Sequence, residues 1–283
     1  MNLISSLSDL RTKRLSLLGT VGLVPTMGYL HSGHLSLVSR AMDECEHVIV
    51  TIFVNPTQFG ANEDLSKYPR DLERDLNLLS SLSSPSSAKE LIVWNPSAET
   101  MYPLGYQTWV NVEALTNPLE GAMRPGHFKG VTTVVSKLFN ATQPHKAYFG
   151  QKDAQQVAVI RRMTLDLNFP IEIVVCPTMR EDDGLAMSSR NKYLNKDERT
   201  AATILFRSLS EAKKMYEAGE RNADVLRNKM KEVLASEPLA NVQYVSCADY
   251  DSLEELNMIE NKSLLSMAVF IGKTRLIDNF VLG

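Results

Sequence analysis

Val21-Gly-Leu-Val-Pro-Thr-Met-Gly-Tyr-Leu-His-Ser-Gly-His34 runs on to Glu46, and Val48-Ile-Val-Thr-Ile-Phe-Val54 follows at once. The two outer runs are short, continuously apolar and rich in β-branched residues, the habit of strands buried on both faces of a parallel sheet. Between them Leu35, Val38, Ala41 and Met42 recur at helical spacing, while Arg40 and Asp43 fall elsewhere. Strand, helix and strand within about 35 residues make a βαβ unit with a right-handed crossover.

The alternation continues outward. Residues 65–82 read as a helix, 91–94 and 108–112 as strands, 131–142 as a helix, 146–149 as a strand, 154–167 as a helix and 171–175 as a strand. This order implies an α/β domain with a Rossmann-like parallel sheet over residues 1–176. Pro177 and Arg180-Glu-Asp-Asp-Gly184 are polar and turn-rich, and fit an interdomain connection. Helical patterns at 196–218 and 223–236, then strand patterns at 242–246, 264–271 and 274–281, give a smaller α+β domain over residues 177–283. Leu3, Leu7, Leu10, Leu15 and Leu18 read as one face of an N-terminal amphipathic helix; the basic residues and serines there also permit a transit peptide, a weaker fit. The serine-rich stretch 80–87 reads as an exposed loop tip without chemistry.

The chain has 283 residues, 44% hydrophobic and 22% charged, with a net charge of −3. That balance excludes a whole-protein nucleic-acid binder, which carries a strong basic excess. The charge is unevenly spread: residues 120–162 carry a net +5, leaving −8 to the rest. The three cysteines, Cys45, Cys176 and Cys247, are far apart and form no CxxC pattern. This argues against a zinc site or disulfide framework and for a reducing compartment, the cytoplasm. No apolar run approaches the roughly 20 residues of a membrane span.

The sharpest chemical signal is His31-Ser-Gly-His34, at the turn from the first strand into the crossover helix. Ligands of open α/β sheets bind at such carboxyl ends. The free N–H groups and positive dipole end of the helix favour phosphate there. Histidines three apart can face the same ligand; two structural histidines, or a zinc pair lacking a third ligand, are the competing readings. This is the HIGH-type signature of nucleotidylyltransferases and class I aminoacyl-tRNA synthetases. Met187-Ser-Ser-Arg190, past the domain boundary, resembles a shortened form of the KMSKS phosphate-closing loop of that superfamily and lacks its leading lysine. Two hydroxyls and a guanidinium suit pyrophosphate, although the tripeptide alone is common on surfaces. Tyr148-Phe-Gly-Gln-Lys-Asp-Ala-Gln-Gln156 offers Lys152 to phosphate, and Asp153 to a ribose hydroxyl or to a helix cap. Phe53-Val-Asn-Pro-Thr-Gln-Phe-Gly60, followed by Glu63-Asp64 and Tyr68-Pro-Arg70, puts Gln58 beyond a central strand. Leu119 to Val131, with its Arg-Pro-Gly-His-Phe-Lys-Gly core, reads as a cationic loop.

In this order the HxGH, NPxQFG, YPR, EGAxRPGHFxGV, FGxKDxQQ and REDDGLAMSSRNxYL segments cover residues 21–195, and the C-terminal stretch ending Arg-Leu-Ile-Asp-Asn279 also fits. The chain closely resembles the pantothenate synthetase (pantoate–β-alanine ligase) family. The resemblance implies an ATP-dependent ligase that joins (R)-pantoate to β-alanine through a pantoyl adenylate, giving pantothenate, AMP and diphosphate. It implies ATP, as its Mg²⁺ complex, for a substrate, and a homodimer with no nucleic-acid or membrane partner. Met27, Gly28, His31, Gly33 and His34 would form the ATP site, with His34 the proton donor. Gly150, Gln151, Lys152 and Asp153 would meet ribose and phosphate, Met179 adenine, and Met187, Ser188, Ser189 and Arg190 the phosphates. His31, Lys152 and Arg190 would share the catalytic work. Gln58 and Gln156 would hold pantoate, Gln58 also β-alanine, with Asn55, Arg124 and His127 as further substrate contacts. No protein metal ligand is implied. A nucleotidylyltransferase acting on another small acid or phosphate ester is the alternative.

Overall fold

The computed structural model describes residues 1–60, 65–82 and 89–283. Glu63, Asp64 and most of the serine-rich stretch lie outside these. In chain order the first part comprises β1 (Asn2–Ile4), α1 (Leu7–Ser16), β2 (Val21–Thr26), α2 (Ser32–Glu44), β3 (His47–Ile52), α3 (Leu72–Ser80), β4 (Glu90–Trp94), α4 (Ala98–Met101), α5 (Glu120–Met123), α6 (His127–Thr142), β5 (Lys146–Gly150), α7 (Ala154–Asp166) and β6 (Glu172–Cys176). Its strands form one parallel sheet in the order β1-β4-β3-β2-β5-β6. The second part comprises α8 (Lys196–Ala201), α9 (Ile204–Glu217), α10 (Ala223–Ala235), β7 (Ala240–Asp249), β8 (Ser263–Ile271) and β9 (Thr274–Leu282), with the three strands antiparallel. The fold is therefore a Rossmann-like parallel sheet joined to a smaller α+β unit.

The continuous apolar runs have the predicted cause. In β2 and β3, Leu23 and Ile49 pack into the core under α6 and α7, while Val24, Val48 and Val50 pack into the core under α2 and α3. Both faces are covered, so alternation disappears. The second unit has a core of its own, built from Leu205, Leu209, Leu226 and Met230 against Leu265, Met267 and Val269.

The β2–β5 pairing opens the molecule. These strands pair only at Gly22↔Lys146 and Leu23↔Ala147, then separate. Pro25 stands within β2, beside Thr51 of β3. Thr26 O accepts the Phe53 N–H, so Thr26 faces β3 and Pro25 faces the side that β5 has left, where no N–H is needed. β2 is also where the strand order reverses, the switch point at which such sheets take ligands.

Three expectations are corrected. Residues 108–112 join no sheet: the Val110 N–H donates to Thr133 Oγ1 (3.0 Å) and Val110 O accepts from Thr132 Oγ1 (2.7 Å), so side chains of α6 satisfy this backbone instead of a strand. The helix expected over residues 65–82 starts at Leu72, because Pro69 interrupts the pattern and Asp71 caps the helix by accepting from Arg74 N. The N-terminal leucines do not share one face: Leu3 lies in β1 opposite Val93, Leu10 is fully buried, and Leu15 and Leu18 are exposed.

Gly130 of α6 lets that helix approach the 3₁₀ turn Pro56–Gln58; a Cβ there would lie 2.4 Å from Thr57 O and 2.7 Å from Gln58 Cα. Alanine is the better helix former, yet Gly130→Ala is expected to destabilise the protein by about 1–3 kcal/mol through overpacking. A urea midpoint at or above that of the parent would contradict this close approach.

Candidate active site

The site starts with the turn that leaves β2. Gly28 has φ +83° and Tyr29 φ +50°, a left-handed pair that the unsubstituted Gly28 adopts freely and Tyr29 only under restraint. The restraint is Asp75 of α3. Its carboxylate accepts the N–H groups of Tyr29 and Leu30, both at 2.7 Å, and Arg74 donates to Leu30 O at 2.9 Å. Burial pushes the Asp75 carboxyl above its ordinary range, against the pull of those two N–H groups and Arg74. Asp75 was not among the expected site residues: within Leu-Glu-Arg-Asp-Leu it reads as one more charge on an amphipathic helix. A buried aspartate next to an arginine shows itself only once α3 is docked.

His31 then caps α2. Its Nδ1 accepts the Gly33 N–H at 3.1 Å, and His34 Nδ1 accepts the His31 N–H at 3.3 Å, forming a capping box made of two imidazoles. A neutral imidazole whose Nδ1 accepts must carry its proton on Nε2. Both rings are thereby held as neutral Nε2–H donors, 4.0 Å apart between centroids. Burial, then Lys152, hold His31 down to about 4; burial, then His31 and Lys152, hold His34 down to about 3.

Opposite, Asn55 caps the turn Pro56–Gln58. Its Nδ2 donates to Gln58 Oε1 (3.0 Å) and Gly130 O (3.1 Å), and its Oδ1 accepts from Thr57 Oγ1 and Tyr102 OH, both at 2.9 Å. Gln58 Nε2 reaches Met27 Sδ at 3.1 Å. A guanidinium can only donate, so the 3.1 Å contact of Arg124 with His127 makes His127 Nε2 the acceptor, and its Nδ1–H donates to Gln58 O at 2.9 Å. Asn55 and His127 thus fix Gln58 from both sides.

The third wall carries charge. Gly150 ends β5, the 3₁₀ turn Gln151–Asp153 follows, and α7 begins. The fourth comes from the second unit: Met187 N donates to Met179 O, Ser188 caps the turn Ser189–Tyr193, and Ser189 Oγ reaches Tyr29 O at 3.4 Å. Lys192 lies over the Tyr29 ring, 4.1 Å from its centroid. These walls enclose a cleft of about 240 Å³. Met27, His31, Gly33 and His34 line it, as do Asn55, Gln58, Arg124 and His127. Gly150, Lys152, Asp153 and Gln156 line it too, with Met179 and the residues 187–190. Two expected members stand back: Gly28 lies in the turn beneath, and the Gln151 amide is engaged by Asn279 and Tyr250.

The local +5 is mostly not site charge. Lys137 lies over the Tyr102 and Tyr106 rings, Lys146 pairs with Glu44 and Glu172, Arg161 lies over Tyr250, Arg162 pairs with Asp166 and Lys129 lies over Trp109. Arg124 and Lys152 are the two of the seven that line the cleft.

A family model described as pantoate-beta-alanine ligase matches residues 2–281. The chain belongs to the pantoate–β-alanine ligase family. It is 61% identical over 282 residues to the pantothenate synthetase of Roseiflexus sp. (strain RS-1), covering 100% of this chain and 99% of that one. The solved pantothenate synthetase of Thermus thermophilus superposes with a TM-score of 0.93 at 43% identity, covering 99% of each chain. The pantoate-beta-alanine ligase of Francisella tularensis, solved complexed with beta-gamma ATP and beta-alanine, superposes with a TM-score of 0.79 at 37% identity over 99% of this chain and 97% of that one. Membership of a ligase family makes the chain an enzyme and fits a cleft lined by two N–H-donating histidines, a lysine and two arginines.

The depressed histidines set a pH dependence. Between their ordinary 6.5 and about 4, His31 and His34 bind fewer protons folded than unfolded. Stability contributed above pH 6.5 is therefore lost as pH falls through that window. Denaturation from pH 7 to 4.5 should show the parent weakening more steeply than a His31→Gln, His34→Gln double variant; parallel curves would place the pH dependence elsewhere.

Proposed function

We propose that this enzyme joins (R)-pantoate to β-alanine with ATP, through an enzyme-bound pantoyl adenylate. The observation that carries the reading is the pair of neutral Nε2–H imidazoles at the α2 N-terminus, facing Lys152 and the segment Ser188–Arg190 across one cleft. A pantoate carboxylate oxygen attacks the α-phosphorus of ATP, and the bond to the bridging oxygen of diphosphate breaks. The β-alanine amine then attacks the acyl carbon, the acyl–oxygen bond to AMP breaks, and the amine gives up a proton.

In the first step charge grows on phosphate oxygens. His31 and His34 donate to them, and Lys152 and Arg190 offset the charge, so the site holds the transition state more tightly than the substrate. His34 acts as a neutral donor, in keeping with its low pKa. Gly150 and Asp153 receive the ribose, Met179 the adenine, and Met187, Ser188 and Ser189 close over the leaving diphosphate. Gln58 and Gln156 hold pantoate, with Arg124 beside them; Asn55 and His127 act through Gln58. ATP would enter as its Mg²⁺ complex, the ion held by the nucleotide. The donors facing the cleft suit anions, and among the described residues no three His, Cys, Asp or Glu side chains converge on a cation. The ion neutralises phosphate charge when bound.

Residues 1–176 serve as the nucleotide- and pantoate-binding domain and residues 177–283 as a lid domain, a division supported by their separate sheets and cores. The enzyme works as a cytoplasmic homodimer. Three buried, unpaired cysteines support the reducing compartment, and exposed Leu104 and Trp109 on the first unit support association through it.

A substrate screen read by diphosphate release tests the reaction. Release requiring pantoate, with pantothenate and AMP formed once β-alanine is added, is expected; ADP and phosphate as products would exclude the adenylate. His34→Ala should lose about 10²–10³-fold in kcat with its fold intact. Gln58→Ala should raise KM for pantoate more than KM for ATP; equal rises would remove Gln58 from the pantoate pocket.

A further inference from the structure

The C-terminal segment ending Ile277-Asp278-Asn279 lies far along the chain from the phosphate-facing residues, yet it touches both groups of them. Asn279 of β9 is 4% exposed. Its Nδ2 donates to Gln151 O at 3.0 Å and Lys152 O at 2.8 Å, and its Oδ1 accepts from Gln151 Nε2 at 3.2 Å. One side-chain amide thus holds the 3₁₀ turn that presents Lys152. A carboxamide suits this place because it brings two donors to two carbonyls and one acceptor to a third group.

Asp278, 2% exposed, is tied to the base of the other group through Arg180. Arg180 pairs with it in bidentate fashion, NH1 to Oδ2 at 2.7 Å and NH2 to Oδ1 at 2.9 Å, and also donates to Gly184 O at 3.0 Å. The guanidinium lies 5.0 Å from the Phe206 ring centroid and 5.0 Å from that of Phe280. Arg180 bridges to Ala186, and Met179 O accepts from Met187 N, so this pair anchors the base of the loop carrying Ser188 to Arg190. The Asp278 carboxylate also accepts the Asn279 N–H at 2.8 Å, locking the two residues together.

We infer that Asn279 is a positioning residue for Lys152, and that the adjacent Asp278 and Asn279 set the Lys152 turn and the Ser188–Arg190 loop in register on either side of the bound triphosphate. The second unit then does more than cover the cleft: one edge of its sheet aligns groups from both sides. This rests on the reading of the cleft as an ATP site.

Asn279→Asp is nearly isosteric and turns the two donor contacts into carboxylate facing carbonyls. A misplacement on the order of 1 Å in a phosphate-binding group can cost about 10²-fold. The full-length protein, Asn279→Asp, Lys152→Ala and the double variant are compared for binding of a non-hydrolysable ATP analogue by calorimetry and for diphosphate release. Asn279→Asp is expected to weaken analogue binding about tenfold, within that scale, with the KM for pantoate unchanged. The double variant should bind no more weakly than Lys152→Ala, because Asn279 acts through Lys152. Asn279→Ser, which keeps a hydroxyl but loses reach, replaces the aspartate variant if that one does not fold. Parent-like binding, losses that multiply, or no loss from Lys152→Ala would overturn the inference. A parent that binds the analogue but makes no pantothenate overturns the ligase reading alone; a parent that does not bind it overturns both.

Discussion

β2 and β5 are neighbours for two residues and then part, and every group in the cleft takes its place from that separation. The gap exposes the carboxyl end of β2, lets Pro25 stand in a central strand, and leaves the α2 N-terminus facing open space. Around it the walls come from distant parts of the chain, each tied by a buried polar contact. Asp75 holds the turn before α2, Asn55 and His127 hold Gln58, and Asn279 holds the Lys152 turn. Buried hydrogen bonds of this kind weigh heavily because a partner removed leaves an unsatisfied group in a poor solvent.

The electrostatic design is economical in charge. A site for two anionic substrates needs fixed positive potential, yet clustered cations repel one another. The cleft combines few cations with oriented dipoles: two neutral imidazoles, helix N–H groups and hydroxyls. Burial keeps the imidazoles neutral beside Lys152, and the capping box commits each Nδ1 to a backbone N–H, which leaves the proton on Nε2. The excess charge of residues 120–162 largely serves aromatic rings and surface carboxylates.

The two units are joined by similar means. Glu120 of α5 binds Arg275 of β9 through two 2.7 Å contacts and accepts from Tyr244 OH at 2.9 Å. Burial alone would raise the Glu120 carboxyl, but the Arg275 pairing brings it below its ordinary range. Such a pair adds little as a net contribution, yet either partner alone would be a buried unpaired charge, so it specifies one arrangement of the two units.

The order of strands and helices, the parallel sheet and most cleft residues were legible because they depend on local patterns: apolar runs, helical spacing, and short motifs at strand ends. The misreadings at residues 65–71 and 108–112 arose where a cap or a threonine side chain replaced the expected backbone partner. Asp75 carried no local signal, and Asp278 and Asn279 stood in a stretch that fitted the family but pointed to no role for either. Each is a common polar residue whose meaning comes from a contact with a segment remote in sequence, to Leu30, Arg180 and Lys152 respectively. By itself, then, the sequence determined the fold class, the family resemblance and the groups available for chemistry. The tertiary structure alone decided which nitrogen of each cleft histidine carries the proton and which distant residues hold the phosphate-facing turns in register, because tautomer and register depend on hydrogen-bond partners that only the packed chain brings together.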